Sequence, residues 1–268
     1  MRNESNRKTE EKEFHDALRG DPERQSRASN NKFYSVTRGN LGHVESWLGK
    51  HCQGATALDY GCGEGELSVM MARAGAQVFS IDISTVSLRN ATGFVEQHGY
   101  SGKILFAAMD AESLGFADDT FDVIHISGVL HHVDVNIAFP ELRRVLKPGG
   151  RVIASEGLGH NPLIQLYRKM TPHLRTEWEA QHIIKKEQMQ LAGEYFGEVN
   201  YRFFHLATLA FVPIRNVPVL GPLALTCLEV LDRFLLRIPL LRWQAWIIVM
   251  ELSQPLKTAE IQDDSANG

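Results

Sequence analysis

The chain has 268 residues, 44% hydrophobic and 22% charged, enough apolar material for one large or two small cores. These proportions exclude a wholly disordered, collagen-like or coiled-coil chain. With 28 Lys and Arg against 32 Asp and Glu, the net charge is -4, and the bulk charge offers no basic surface for counterion-driven nucleic-acid binding.

The 3 cysteines, Cys52, Cys62 and Cys227, lie far apart with no CxxC spacing. They predict neither a disulfide framework nor a zinc site, and a reducing compartment is the natural reading. No His/Asp/Cys cluster has ligand spacing, so no metal is implied. Residues 1–32 mix both charges without the apolar run of a secretory leader. Their few apolar side chains predict a flexible polar tail, with at most a short helix around Phe14–Leu18. Residues 257–268 read as a second tail. No uncharged apolar stretch reaches the roughly 20 residues of a spanning helix. A cytoplasmic protein is expected.

Residues 33–156 alternate between helix and strand periods. Leu41, Val44, Trp47 and Leu48 have helical spacing, and Thr56–Tyr60 is a short apolar run ending at a glycine cluster, as a buried strand does. Leu67–Ala74 is helical, Gln77–Ile81 a strand, and Ser84–His98 a helix opened by a serine suited to the N-cap. Ile104–Ala108 and Phe121–Ser127 are strands. The next helix carries Pro140, which predicts a kink, and stops at Lys147-Pro148-Gly149-Gly150 before strand Arg151–Ser155. Strands separated by helices in this way demand a doubly wound, mostly parallel α/β sheet.

Residues 157–256 differ in character. Residues 160–195 are mostly amphipathic helix, and Phe196–Leu206 and Trp243–Leu252 read as a closing strand pair. Between them lies an apolar, proline-punctuated insertion, Thr208–Leu241. Ligands bind at the carboxyl ends of the strands in such sheets, so material after Glu156 is placed to cover the site.

The segment from Asp59 to Ser68 is a strand end, a glycine turn with Gly61, Gly63 and Gly65, and a helix start. Glycines allow a sharp turn and close backbone approach, and a helix N-terminus offers unpaired N–H donors. A plain strand–helix turn would use the same residues. The dinucleotide fingerprint has GxGxxG; here the spacing is GxGxG, and Glu64 and Glu66 would repel a pyrophosphate. A ligand carrying an amine and a sulfonium suits these acids better, which favours S-adenosylmethionine over NAD. Asp82 closes the second strand, where a carboxylate can accept from both ribose hydroxyls. It could also cap the next helix, although Ser84 offers that already. Asp110 closes the third strand and can accept from an adenine amino group, or simply form a turn.

The ordered motifs DYGCGEG, FSIDIS, MDAESLGF, FDVIHISGVLHHV and ELRRVLKPGGRVI resemble the class I S-adenosylmethionine-dependent methyltransferases, in the ubiquinone/menaquinone-type, small-molecule branch. The resemblance covers residues 33–156. It implies a seven-stranded Rossmann-like sheet, with a helical cover inserted in the C-terminal third. It also implies that Gly61, Gly63 and Gly65 form the methionine-side loop, with Asp59 among the cofactor-binding residues. Asp82 and Ile83 would take the ribose, Asp110 and Ala111 border the adenine, and Ser127 and Gly128 line the sulfonium side. Phe33 and Tyr34 would join a cofactor lid.

Methyl transfer to a hydroxyl or enol gains from a general base, most often His. His131 and His132 follow the fourth strand, and His160 sits in a glycine-flanked loop after the fifth. All three are candidate catalytic residues, set against structural or turn-forming roles. His125, within a strand, reads as a packed core residue, and Glu156 as an orienting acid or loop cap. The insertion at 208–241 suits lid packing, an apolar tunnel, shallow membrane docking or an interface between copies. Arg215, Arg233, Arg237 and Arg242 beside it suit an anionic lipid surface or a solvated face. The expectation is O- or C-methylation of a small hydrophobic or lipid-linked metabolite, with peripheral membrane contact through 208–241. An NAD-dependent oxidoreductase and a noncatalytic S-adenosylmethionine-binding partner protein stand as alternatives.

Overall fold

The computed structural model describes residues 4–21, 23, 36–215 and 220–256. Helices α1 (Glu4–Arg19) and α2 (Arg38–His51) lead into β1 (Thr56–Tyr60), α3 (Glu66–Arg73), β2 (Gln77–Asp82), α4 (Thr85–Gln97) and β3 (Ile104–Ala108). Strand β4 (Phe121–Ser127), α5 (Val135–Val145) and β5 (Leu146–Gly157) complete the parallel part. Short helices α6 (Pro162–Met170), α7 (Glu177–Gln181) and α8 (Lys186–Leu191) precede β6 (Phe196–Phe204). Helices α9 (Leu220–Leu235) and α10 (Pro239–Arg242) then lead to β7 (Ile247–Pro255).

The strands form one 7-stranded sheet in the order β3-β2-β1-β4-β5-β7-β6, in which β7 runs antiparallel to both neighbours. The chain steps outward from β1 to β3, then returns to add β4 on the other side of β1. That reversal leaves a crevice at the carboxyl ends of β1 and β4, where ligands bind in doubly wound sheets. The sheet and its closing strand pair are those the periodicity predicts.

Alternation along the strands assigns each face. Leu58, Tyr60, Ile124, Ile126, Val152 and Ala154 pack with Phe139 and Leu142 of α5, while Ala57, Val78, Val123 and Ile153 pack with Val44, Leu48 and Met71 of α2 and α3. Phe121 anchors the first face, its ring edge-on to Phe79 and Phe116. Caps fix the helix starts. Ser84 accepts the Ser87 N–H at 3.0 Å, and Asp134 accepts the Asn136 N–H at 2.9 Å. The stop after α5 lies inside β5: pairing jumps from Phe121–Leu146 to Val123–Arg151, because Pro148 has no N–H to donate and Gly149 takes a φ of 81°. Pro140 lies within α5.

Two expectations need correction. Within the predicted tail 1–32, residues 4–19 are a helix packed on the core. Its docking side chains are polar, which an apolar count does not see: Arg7 meets Glu112, Lys8 meets Asp110, Glu11 meets His132, and Asp16 accepts from Ser84. The remainder of that segment, apart from residues 20, 21 and 23, lies outside the described residues, as do Phe33, Tyr34 and 257–268. The second correction concerns the cover. Among the described residues, none from 157–256 lines the cavity at the strand ends, and α1 stands over it instead.

Candidate functional site

The cavity at the switch point measures about 660 Å³, within the size range of small-ligand sites. Its floor is the turn between β1 and α3. Gly61 has a φ of 77°, and a Cβ there would stand 2.4 Å from Val129, so no other residue fits. Gly65 has a φ of 86° and would press a Cβ to 3.1 Å from Ala91 of α4. The loop is tied to β2, with the Gly61 and Cys62 N–H groups both donating to the Ile81 carbonyl at 2.9 and 2.8 Å.

Acidic side chains at neighbouring strand tips face this loop. Asp82 accepts the Gly63 N–H at 3.0 Å on one oxygen and the Ser84 N–H at 2.8 Å on the other. Each oxygen keeps a second lone pair, enough acceptor capacity for two vicinal hydroxyls. Burial raises its pKa above the usual carboxylate value, against the backbone donors and Arg19 that lower it. Asp110 accepts the Glu112 N–H at 2.9 Å and pairs with Lys8 at 2.5 Å, and the neighbouring Ala111 carbonyl accepts the Tyr60 hydroxyl at 2.6 Å.

Helix α1 supplies the roof. Arg7 forks onto Glu112 at 2.6 and 2.7 Å, and Arg19 lies 3.3 Å from Glu64. Beside them Glu11 joins His132 Nδ1 at 3.0 Å and accepts from Thr176. Burial opposes the proton on His132, but the Glu11 hydrogen bond and the charges of Glu179, Glu11 and Glu156 raise its pKa above 6.5. His15, edge-on to His132 with centroids 4.9 Å apart, is pushed down to about 3 by burial and by the positive charge of His132. Glu156, 1% exposed, accepts the Val129 and Leu130 N–H groups and bonds His131 Nδ1 at 2.8 Å. It both caps the loop after β4 and orients His131, the two roles its position at the end of β5 suggests.

The structure therefore gathers Asp59, Gly61, Gly63, Asp82, Ile83, Asp110, Ala111, Ser127, Gly128 and His132 around one cavity. Gly65, which starts α3, and His131, held beneath the turn by Glu156, stand behind that lining. His160 is elsewhere. Its Nε2 accepts the Lys186 N–H at 3.0 Å and its ring packs edge-on to Trp243, so it serves the loop before α8 rather than the cavity. Glycine flanks marked a loop correctly but could not give its distance from the crevice. Sequence reading missed Arg7, Lys8, Glu11, His15, Arg19 and Leu41, which also line the site. The available signal was i,i+4 pairing in a charged segment, Glu11 with His15 and Lys12 with Asp16.

Among the described residues, two groups bring ligand-type atoms within 4.8 Å of one another: Glu11, His15 and His132, and His131, His132 and Glu179. Their members come from distant segments, which is why ligand spacing was invisible in the sequence. Each carboxylate is already engaged, Glu11 by His132 and Thr176, Glu179 by Arg168 and Arg175. No metal is assigned to them.

Residues 58–154 match the family model described as a methyltransferase domain. Over 116 residues the chain is 38% identical to the ubiquinone/menaquinone biosynthesis C-methyltransferase UbiE of Cellvibrio japonicus, covering 41% of this chain and 47% of that relative. It is 39% identical over 111 residues to the ubiquinone biosynthesis O-methyltransferase of Cereibacter sphaeroides, covering 41% and 44%. The match thus spans less than half the length of these curated relatives. Among solved structures, the [4+2]-cyclase SpnF shares the fold, with a TM-score of 0.55 and 19% identity over 80% of this chain and 82% of that one.

Asp82→Asn keeps the side-chain volume but removes the charge and one acceptor. It should weaken S-adenosylhomocysteine binding by about 1.5–3 kcal/mol, on the order of 10- to 100-fold by calorimetry. An unchanged affinity removes Asp82 from the ribose. His160→Ala should leave cofactor affinity and turnover as they are and lower stability by about 0.5–1.5 kcal/mol in urea denaturation. A collapse of turnover with the fold intact would return His160 to the site.

Proposed function

We propose that this chain, which carries a class I methyltransferase domain over residues 58–154, transfers the methyl group of S-adenosylmethionine to a small lipophilic acceptor. Oxygen and carbon acceptors are both covered by this reading. The observation that carries it is Asp82, whose carboxylate is anchored by the glycine loop and by its own strand end while still facing the cavity. Asp59, Glu64, Glu66 and Asp110 surround the same space; Glu64 and Asp110 are paired with Arg19 and Lys8, and the charge of Asp59 and Glu66 suits a cationic nucleoside rather than a pyrophosphate.

The bound cofactor supplies a methyl group already activated by its sulfonium. What remains for the chain is alignment to a near-attack distance of about 3–3.5 Å and exclusion of water. Ser127 and Gly128 line the cavity, where the resemblance puts the sulfonium side, and α1 lines the same cavity. His132 faces the same cavity with its Nδ1 directed to Glu11, an arrangement suited to taking a proton from an acceptor hydroxyl. His131 and Glu156 are positioning residues, because they hold the turn after β4 that presents His132.

The acceptor class is drawn from two sources. The two curated relatives carry quinone-biosynthesis names. Exposed Leu163, Leu166 and Met170 on α6, with Leu223, Phe234 and Leu240 on α9 and α10, offer apolar surface for a lipophilic compound or the membrane that dissolves it. Arg233 and Arg237 stand beside Phe234, giving that surface a positive rim suited to anionic lipid. Among the described residues no helix is long and apolar enough to cross a membrane.

Methyl-labelled cofactor incubated with demethylated quinols and related lipophilic phenols should yield labelled product. Cofactor binding without transfer to any of them would overturn the acceptor reading. The pH profile gives a second check. His132 is held above its ordinary value of 6.5, so it becomes a competent base only as pH rises through that higher value. The same rise removes the ion pair with Glu11, whose contribution to α1 docking is full below 6.5 and lost above the raised value. The acidic limb of kcat should thus lie above pH 6.5 and move to lower pH in Glu11→Gln. A limb unmoved by that change rejects the pair. For the membrane contact, the protein should co-sediment with anionic vesicles and lose this in Phe234→Ser/Leu240→Ser; equal behaviour of both proteins dismisses it.

A further inference from the structure

Beneath the glycine loop, a polar row crosses the sheet on the face that α3 covers. Ser80 of β2, Asp59 of β1 and His125 of β4 stand in register on adjacent strands. All are buried, His125 with 2% of its surface exposed. Ser80 donates to the Ser68 hydroxyl at 2.9 Å, and Ser68 donates to one Asp59 oxygen at 2.5 Å. The other Asp59 oxygen lies 2.9 Å from His125 Nδ1.

A carboxylate can only accept, so the hydrogen in that last contact belongs to Nδ1. In the neutral ring this tautomer leaves Nε2 with a lone pair. That atom is buried and has no hydrogen-bond partner among the described residues. Leaving such an acceptor unmade costs about 1–3 kcal/mol, and native structures contain few of them. His125 is also one of the cavity-lining residues, alongside Asp59, Leu67 and Ser127. The unmet acceptor therefore lies on a residue of the cavity wall, where a ligand N–H or O–H can meet it.

The chemistry of the cavity selects which donor. Asp82 and Asp110 occupy the tips of β2 and β3, on one side of the loop, and suit the nucleoside half of the ligand. His125 stands on β4, on the other side of β1, where the amino-acid half has to lie. That half has one donor group, its α-ammonium, since its carboxylate only accepts at neutral pH. The Asp59 charge behind the imidazole favours a cation at Nε2.

We infer that His125 binds the α-ammonium group of the S-adenosylmethionine methionine moiety through Nε2, with Asp59 and Ser68 holding the ring in the accepting tautomer. This inference rests on the cofactor reading above and adds a contact for which sequence reading offered only a packed core histidine.

The test uses calorimetry on the full chain with S-adenosylhomocysteine, its deamino analogue and its decarboxylated analogue. His125→Asn places an amide near Nδ1, keeping the donor to Asp59 while deleting the Nε2 acceptor. It should weaken S-adenosylhomocysteine binding by about 10-fold or more. The decarboxylated analogue should lose as much, and the deamino analogue should bind wild type and variant alike. His125→Gln, whose amide reaches the Nε2 position, should recover part of the affinity for ligands that carry the amine. Equal losses with all three ligands would make His125 a merely structural residue and overturn the inference. A loss that persists with the deamino analogue and vanishes with the decarboxylated one would assign the carboxylate instead and equally overturn it. No loss at all would do the same. Should the wild type bind none of the three ligands, the cofactor reading itself falls and takes this contact with it, an outcome distinct from the others.

Discussion

Crowding of carboxylates at the carboxyl ends of β1, β2, β3 and β5 is the constraint to which the rest of the structure answers. Asp59, Asp82, Asp110, Glu112 and Glu156 are drawn together by the parallel sheet, and like charges so placed must each find a donor. Asp59 takes Ser68 and His125, Asp82 takes two backbone N–H groups, and Glu156 takes two more with His131. Those same bonds hold the glycine loop and the turn after β4 in the shape that makes a cavity.

Helix α1 is part of this compensation. Arg7 and Lys8 meet Glu112 and Asp110, while Arg19 lies against Glu64. A segment with few apolar residues thus docks by charge, and brings Glu11 and His15 to His132. Short helix α7 braces it from behind, through Thr176 to Glu11 and Trp178 stacked under Arg7. Arg7–Glu112 is buried and little screened, whereas Lys8–Asp110 and Arg19–Glu64 are partly exposed and are the salt-sensitive contacts of the roof.

The fold alone does not decide the reaction. A [4+2]-cyclase shares it, and the same sheet carries many chemistries. What argues for methyl transfer is local: the GxGxG turn, Asp82 anchored to it, and a cavity whose acids suit a sulfonium.

Residues 36–156 were legible in sequence because their signals are local. Strand and helix periods, the Ser84 cap and the glycines that tolerate positive φ each depend on neighbours a few residues away. Asp82 and Asp110 were readable for the same reason, since an acid that ends a strand in a parallel sheet has only one place to go. Contacts between distant segments had no such mark. His160 sits in the loop its glycines predict, yet only the path of β5 and α8 places it against Trp243, away from the crevice. Glu11 and His132 are 121 positions apart, and nothing in the spacing of either announces the pair. His125 looks like core from its strand alone, and its unmet nitrogen exists only because β1 sets Asp59 beside it. The sequence by itself determined the sheet, the loop and the acids at the strand tips, because those follow from backbone geometry over short range. The tertiary structure decided the roof, the histidine partners and the orphaned acceptor, because polar pairing across the chain depends on which surfaces the packed core brings together.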